Sequence, residues 1–201
     1  MVREVKISVT ATIGAALLVL TSCSDSDGSG IGTSFSPTSP GTSTQPSSTA
    51  TTDQAPPVHT PLDATAFIAD PCSSLTSAQT AELTISNEGR HTNNACSWKF
   101  GPNLEWVVQA FYTVNDKGLQ NTYDQNAAGW FKNGYFEPTS VSGYPAVYSN
   151  VTDARPDGTC DLVVGIDDRT VLDVSVTGKP GEDNCGAAST VAGKIIETIG
   201  S

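Results

Sequence analysis

Histidines and carboxylates are the residues of this chain whose spacing could provide acid–base chemistry. The two histidines, His59 and His91, lie in polar segments, and no Gly-x-Ser-x-Gly nucleophile elbow accompanies them. Asp167 and Asp168 are adjacent, which is typical of a turn rather than of a glycosidase carboxylate pair. We therefore predict no catalytic residues and expect that the protein is not an enzyme.

Metal and cofactor sites also need particular ligand spacings. Asp153 and Asp157 precede Gly158, but the segment lacks the spacing and the closing Glu of a calcium loop. Zinc is disfavoured because the chain has no C-x-x-C pair, and His91 is the single histidine of the predicted domain. No phosphate-binding glycine loop is present. We predict neither a metal nor a cofactor.

Four cysteines lie in the C-terminal two thirds of the chain, namely Cys72, Cys96, Cys160 and Cys185. An even number of cysteines in an exported domain indicates two disulfides, and four cysteines permit three pairings. We predict pairing between neighbours, Cys72–Cys96 and Cys160–Cys185, because each bond closes a moderate loop. On the chain-entropy model, each disulfide stabilises the fold by about 3 kcal/mol.

The fifth cysteine, Cys23, follows Leu20-Thr21-Ser22, and this segment resembles the bacterial lipobox, whose cysteine receives a diacylglyceryl group. The apolar stretch at 7–20 is shorter than the about 20 residues of a spanning helix, and it follows the basic residues Arg3 and Lys6. A lipoprotein signal peptide explains both features. The alternative is an ordinary cysteine beside a cleavage site. Two acyl chains, such as palmitate, anchor a protein stably where one chain does so only marginally.

Composition divides the chain into three parts. Residues 1–22 form the predicted signal peptide. Residues 23–62 are rich in Ser, Thr and Pro and bury too little apolar surface to fold, so we predict a disordered tether, with glycosylation as an alternative feature. Residues 63–201 form the predicted disulfide-stapled globular domain. We expect lipid anchoring on the extracytoplasmic face of the cell membrane.

The net charge of the chain is −11, from 10 Lys and Arg against 21 Asp and Glu. Nucleic acid and anionic lipid head groups repel such a protein. We therefore predict no nucleic-acid partner.

Four aromatic residues surround the Asn133-Gly134 turn, and they are Trp130, Phe131, Tyr135 and Phe136. Aromatic side chains supply much of the binding energy at interfaces, so this segment is the candidate patch for a partner or a glycan. The alternative is that these rings fill the core beneath a neighbouring helix.

Strand patterns dominate the predicted domain. Alternating apolar residues predict strands at 96–100, 104–113, 135–141, 145–151, 159–166 and 171–177. A capping box of Thr76 and Gln79 predicts a short helix at 77–83. Apolar spacing predicts a surface helix at 115–128 and a C-terminal helix at 184–199, and a polar loop is expected at 85–95. The expected fold is α+β, an antiparallel sheet of about five or six strands with a short N-terminal helix, one middle helix and a C-terminal helix packed on one face.

Several short motifs occur in a fixed order along the domain. They are Asp70-Pro71-Cys72-x-x-Leu75-Thr76, Cys96-x-Trp98, Gly143-Tyr144-Pro145-Ala146-Val147, Cys160-x-Leu162-x-Val164 and Cys185-x-x-Ala188. With these motifs the chain resembles the actinobacterial lipoproteins grouped as domain of unknown function 3558. This resemblance implies an exported lipoprotein but no chemistry, because the family has no established activity. More loosely, the chain is similar to the α/β sandwich of actinobacterial lipoproteins related to the photosystem protein PsbP, a likeness of fold only.

These observations predict a lipid-anchored extracytoplasmic binding or interaction module without catalysis. Its expected partners are the membrane, through the lipid on Cys23, and a cell-wall component or envelope protein. The alternative is a carrier that holds a small apolar ligand or lipid between helix and sheet.

Overall fold

The computed structural model describes residues 53–86 and 88–201. The predicted signal peptide, Cys23 and the tether as far as residue 52 lie outside the described residues. Among the described residues, no helix is both long enough and apolar enough to cross a membrane.

One antiparallel sheet of seven strands organises the described part of the chain, in the order β1-β2-β3-β7-β6-β5-β4. The strands are β1 Arg90–Thr92, β2 Ala95–Phe100, β3 Trp106–Val114, β4 Tyr135–Val141, β5 Tyr144–Asn150, β6 Thr159–Gly165 and β7 Thr170–Thr177. The predicted α+β class and antiparallel sheet are confirmed, with one strand more than expected. The extra strand is β1, which is too short and too polar to show an alternating pattern and lies in the predicted loop.

The helices are α1 Thr65–Ala69, α2 Ser77–Glu82, α3 Gln120–Ala127 and α4 Asn184–Ile199. The predicted capping box begins α2, because the Thr76 side chain accepts from the Gln79 backbone and Gln79 accepts in return from the Thr76 backbone. Asp183 caps α4, and its carboxylate accepts the Gly186 N–H at 2.8 Å. Helix α1 was not predicted, since it is five residues long and has no capping side chain.

The main core lies between α4 and one face of the sheet. The predicted apolar stripe of α4 packs there against alternate residues of the strands. The buried stripe consists of Ala188, Val191, Ala192, Ile195 and Ile196, and the strand residues include Val108, Leu162, Val164, Leu172, Val174 and Val176. Helix periodicity and strand alternation together therefore specify this core.

Helix α3 lies on the opposite face of the sheet. Leu119 and Tyr123 are buried there against Val147 and Val171. The predicted surface helix is therefore present, but the expectation that all helices pack on one face of the sheet is wrong. Because strand residues alternate between faces, Val147 points away from the α4 core, and α3 covers it.

Both disulfides join a helical segment to the sheet. Cys72 precedes α2 and is bonded to Cys96 in β2, and Cys185 in α4 is bonded to Cys160 in β6, with Cα–Cα distances of 4.9 and 5.1 Å. The predicted pairing is confirmed. Gly89 lies over the first bond, where a Cβ atom would collide with Cys96 Sγ and with the Trp98 ring.

Residues 53–62 lie along the domain, although composition assigns them to the tether. The Ala55 N–H donates to Gln120 Oε1 at 2.9 Å, and the Tyr144 hydroxyl donates to the carbonyl of Thr60 at 2.8 Å. The Leu62 N–H donates to the carbonyl of Ile166 at 2.9 Å. Residues 53–62, which the sequence assigns to the tether, are therefore hydrogen-bonded to the domain.

Candidate functional site

A cleft of about 370 Å³ opens beside α3, on the sheet face that this helix covers only in part. Strands β3, β6 and β7 form its floor, and α3 with the turn that follows forms one wall. Its volume lies within the range of small-ligand sites, about 300–1,000 Å³. We call this feature the α3 cleft.

Two carboxylates lie on the floor of the α3 cleft. Asp161 in β6 and Asp173 in β7 share one face, because Val163 pairs with Asp173 across the strands. Such diagonal neighbours are about 7–8 Å apart. Asp161 accepts a hydrogen bond from Asn150 Nδ2 at 2.6 Å, and one oxygen of Asp173 accepts from the Thr113 hydroxyl at 3.0 Å.

The environment of Asp173 makes its charged form unfavourable. The pKa of Asp173 is raised to about 7, mainly by burial; the hydrogen bond from Thr113 lowers it and the negative charge of Asp161 adds a smaller rise. The residue is half-buried by accessible surface, so its carboxyl is enclosed on the sheet side and meets water on the cleft side. Near neutral pH, Asp173 therefore exists in both protonation states.

No lysine or arginine lines the α3 cleft among the described residues. The nearby Arg155 lies 4.1 Å above the Tyr135 ring and is held by ion pairs with Asp153 at 2.7 Å and Glu137 at 2.8 Å. Neither Asp161 nor Asp173 forms an ion pair with a described residue. The negative charge on the cleft floor is therefore not balanced within the described part of the chain.

The rim of the α3 cleft is apolar. Trp130 is 58 % exposed and Val151 is 51 % exposed, and they are two of the four large hydrophobic residues exposed among the described residues. Phe131 is half-buried and stacks on Phe136 at 5.8 Å between ring centroids. Phe136 in turn packs edge-on against Tyr123 in α3 at 5.0 Å. The ring stack holds the wall in place, while Trp130 presents its indole to solvent.

The structure separates the four aromatic residues of the predicted patch. Trp130 and Phe131 line the α3 cleft, and their role in binding stays a prediction. Phe136 supports Phe131 from behind. Tyr135 is 5 % exposed, and its hydroxyl accepts the Asp161 N–H at 2.9 Å, so its assignment to a surface patch is wrong. Burial in the sheet also raises the pKa of the Tyr135 hydroxyl to about 12.

The acid–base candidates from the sequence lie on different elements. His91 is exposed in β1, and Asp168 is exposed in the turn between β6 and β7. Asp167 accepts the N–H groups of Arg169 at 2.6 Å and Thr170 at 2.7 Å, which closes that turn. Among residues 53–86 and 88–201, no group of three His, Cys, Asp or Glu could hold a metal ion.

Sequence reasoning missed Asp161 and Asp173. Both alternate with buried residues of central strands, the pattern of a solvent-facing side chain. The available signal was an aspartate at the middle of two interior strands, where a charge is unusual. That signal could not show that α3 builds a wall beside them.

A second cavity, of about 300 Å³, lies between α4, the end of α2 and the sheet. Its lining is mostly apolar and includes Leu83, Ile85, Phe100, Val108, Val176 and Val191. Glu82 and Thr190 also line it. We call this feature the α4 cavity.

The described part of the chain is thus an α+β domain with two disulfides and a ligand-sized cleft. Comparison with family models identifies residues 18–198 as "Protein of unknown function (DUF3558)", and the chain belongs to this family. The resemblance to domain of unknown function 3558 is confirmed, whereas the actinobacterial origin stays a prediction. Comparison with curated proteins and with solved structures gave no match. The lipoprotein character and the looser likeness to PsbP-related proteins stay predictions.

Proposed function

We propose that this protein is an exported, lipid-anchored binding module of the cell envelope. The observation that carries the proposal is the α3 cleft, in which the exposed side chains of Trp130 and Val151 border two carboxylates without a cationic partner. Exposed apolar side chains beside unbalanced polar groups are typical of surfaces that bind another molecule.

The lipid anchor is supported by the segment that ends at Cys23 and by the Ser/Thr/Pro tract that follows it. About 30 residues separate Cys23 from residue 53, and a flexible tether of that length would span roughly 30 Å. The acidic net charge disfavours contact between the domain and anionic head groups. In this proposal the domain stands off the membrane and presents the α3 cleft to envelope components.

Binding without catalysis is the preferred form of the proposal. The two floor carboxylates are each held by a neutral donor, and the exposed His91 lies on another element, β1. Hydrolysis of a glycan by the purified protein, abolished by both Asp161→Asn and Asp173→Asn, would replace binding with glycosidase chemistry.

In-cell photo-crosslinking tests the binding role of the α3 cleft. A photoreactive amino acid replaces Val151 at the rim, and the matched control replaces Leu104, which is 55 % exposed in the turn between β2 and β3. We expect a discrete crosslinked product from position 151 and none from position 104. Equal crosslinking at both positions, or none at either, would refute a specific role for the cleft.

The α4 cavity favours a second candidate function, a carrier of a small apolar ligand. Native mass spectrometry of protein purified without detergent would detect such a ligand. Ala187→Phe places a ring into the cavity and should abolish the copurified mass, whereas Ala127→Phe, at an exposed position of α3, should leave it. Absence of any bound mass in the parent protein would exclude this candidate.

A further inference from the structure

We infer that the α3 cleft binds a protonated amine attached to an apolar stem, either a free alkylammonium compound or a lysine side chain of a partner protein. This inference rests on the proposed binding function and names the ligand class of the same site.

The floor of the α3 cleft carries negative charge and has free hydrogen-bond acceptors. Asp161 and Asp173 lie on adjacent strands with no cation among the described lining residues. Asn150 occupies one oxygen of Asp161, and Thr113 occupies one oxygen of Asp173. The other carboxylate oxygens have no donor among the described residues. An ammonium group carries three donors and a positive charge, so it can bridge such oxygens by charge-assisted hydrogen bonds.

The apolar rim of the α3 cleft suits the stem of such a ligand. When the carboxylates bind the ammonium group, the apolar stem of the ligand passes Trp130, Phe131 and Val151. The stem then covers apolar surface of these residues that is otherwise exposed to water. Each methylene buried in this way tightens binding by roughly fourfold. The Trp130 face also attracts cations, because the indole ring has a negative quadrupole above its plane.

A neutral glycan is the main competing ligand, since sugars also stack on tryptophan. It could form hydrogen bonds with the cleft-lining amides of Asn121 and Gln125. A glycan would leave the negative charge on the cleft floor uncompensated while it removed that charge from water, which is unfavourable. An ammonium group instead balances the charge, and for this reason the observations favour the amine.

Isothermal titration of the full chain carrying Cys23→Ala tests the inference. The probes are n-hexylammonium and n-hexanol, which share a stem and differ in charge, and n-butylammonium, which has a shorter stem. We expect the ammonium to bind at least tenfold more tightly than the alcohol, and n-butylammonium to bind roughly fifteenfold more weakly than n-hexylammonium. A lysine side chain as the ligand is tested in the same way, by comparing the affinity of N-acetyl-lysine amide with that of N-acetyl-norleucine amide.

Variants assign the binding to the α3 cleft. Asp161→Asn combined with Asp173→Asn should weaken n-hexylammonium binding at least tenfold, while Asp157→Asn, an exposed aspartate that does not line the cleft, should leave it unchanged. Circular dichroism of each variant checks that the fold is intact. Trp130→Ala should weaken hexylammonium more than methylammonium, because only the longer probe has a stem to bury.

Equal binding of the ammonium and the alcohol, or tighter binding of an N-acetylglucosamine trisaccharide, would overturn the assignment of an amine. If that result accompanied a specific crosslink from position 151, the assignment of an amine ligand would be refuted and the proposed binding function would stand. If no probe bound and position 151 gave no crosslink, both would fail.

Discussion

Asp173→Asn should stabilise the folded domain at pH 8 and change its stability little at pH 4. Burial raises the pKa of the Asp173 carboxyl from 3.8 to about 7 in the folded state. The folded protein therefore binds a proton more tightly than the unfolded chain does. Stability falls as pH rises from about 4 to about 7, and the loss is complete above about 7. Asparagine removes this loss, because it has no charge to desolvate.

The size of the effect follows from the shift in pKa. A rise from 3.8 to about 7 corresponds to at most about 4 kcal/mol of unfolding free energy at pH 8. Because Asp173 is half-buried and the cleft admits water, we expect about half of that value, about 2 kcal/mol. The asparagine carbonyl can still accept the Thr113 hydroxyl hydrogen bond. Asp161, the other charged group that faces Asp173, is present in both proteins, so the comparison isolates position 173.

Thermal unfolding of parent and variant between pH 4 and pH 8 measures the effect. A gain of about 2 kcal/mol corresponds to a rise in Tm of about 4–8 °C for a domain of this size. Asp157→Asn, at an exposed position, is the control and should show no such trend. A variant that is equally stabilised at pH 4 and pH 8, or destabilised at pH 8, would refute the assignment of a desolvated carboxyl at position 173.

Three further predictions concern the anchor, the disulfides and the helix packing. Cys23→Ala should release the protein from membranes in fractionated cells, and retention after a carbonate wash would contradict the lipid anchor. Replacing both Cys160 and Cys185 by alanine should lower the unfolding free energy in urea by about 3 kcal/mol, and an unchanged midpoint would contradict stabilisation by this bond. Gln79 donates to the carbonyl of Lys194 at 2.9 Å and so joins α2 to α4. Gln79→Ala should therefore lower the free energy of unfolding by about 2 kcal/mol. A loss no larger than that caused by Gln54→Ala, at an exposed position, would argue against this link.

Local patterns in the sequence were sufficient for most of the secondary structure. In β6 and β7, alternate residues are buried without interruption, so period-two alternation specifies both strands. The capping box at Thr76 and the apolar stripe of α4 are equally local signals. The disulfide pairing could also be predicted, because neighbouring cysteines close loops of moderate length.

The α3 cleft could not be predicted, because it depends on which face of the sheet each helix covers. The spacing of Leu119 and Tyr123 predicts a helix with one apolar side, but a helical pattern does not specify its partner surface. Only when β3 and β7 pair does the outward face that holds Asp173 come to lie beside this helix. The cleft therefore arises from contacts between residues distant in the sequence.

Hydroxyl-radical footprinting tests most directly whether the α3 cleft is occupied in the cell. It compares oxidation of Trp130, normalised to that of the exposed Leu104, in intact cells and in purified protein. If the cleft binds an envelope component, oxidation of Trp130 should fall at least threefold in cells while that of Leu104 stays the same. Equal oxidation of Trp130 in both settings would contradict the account.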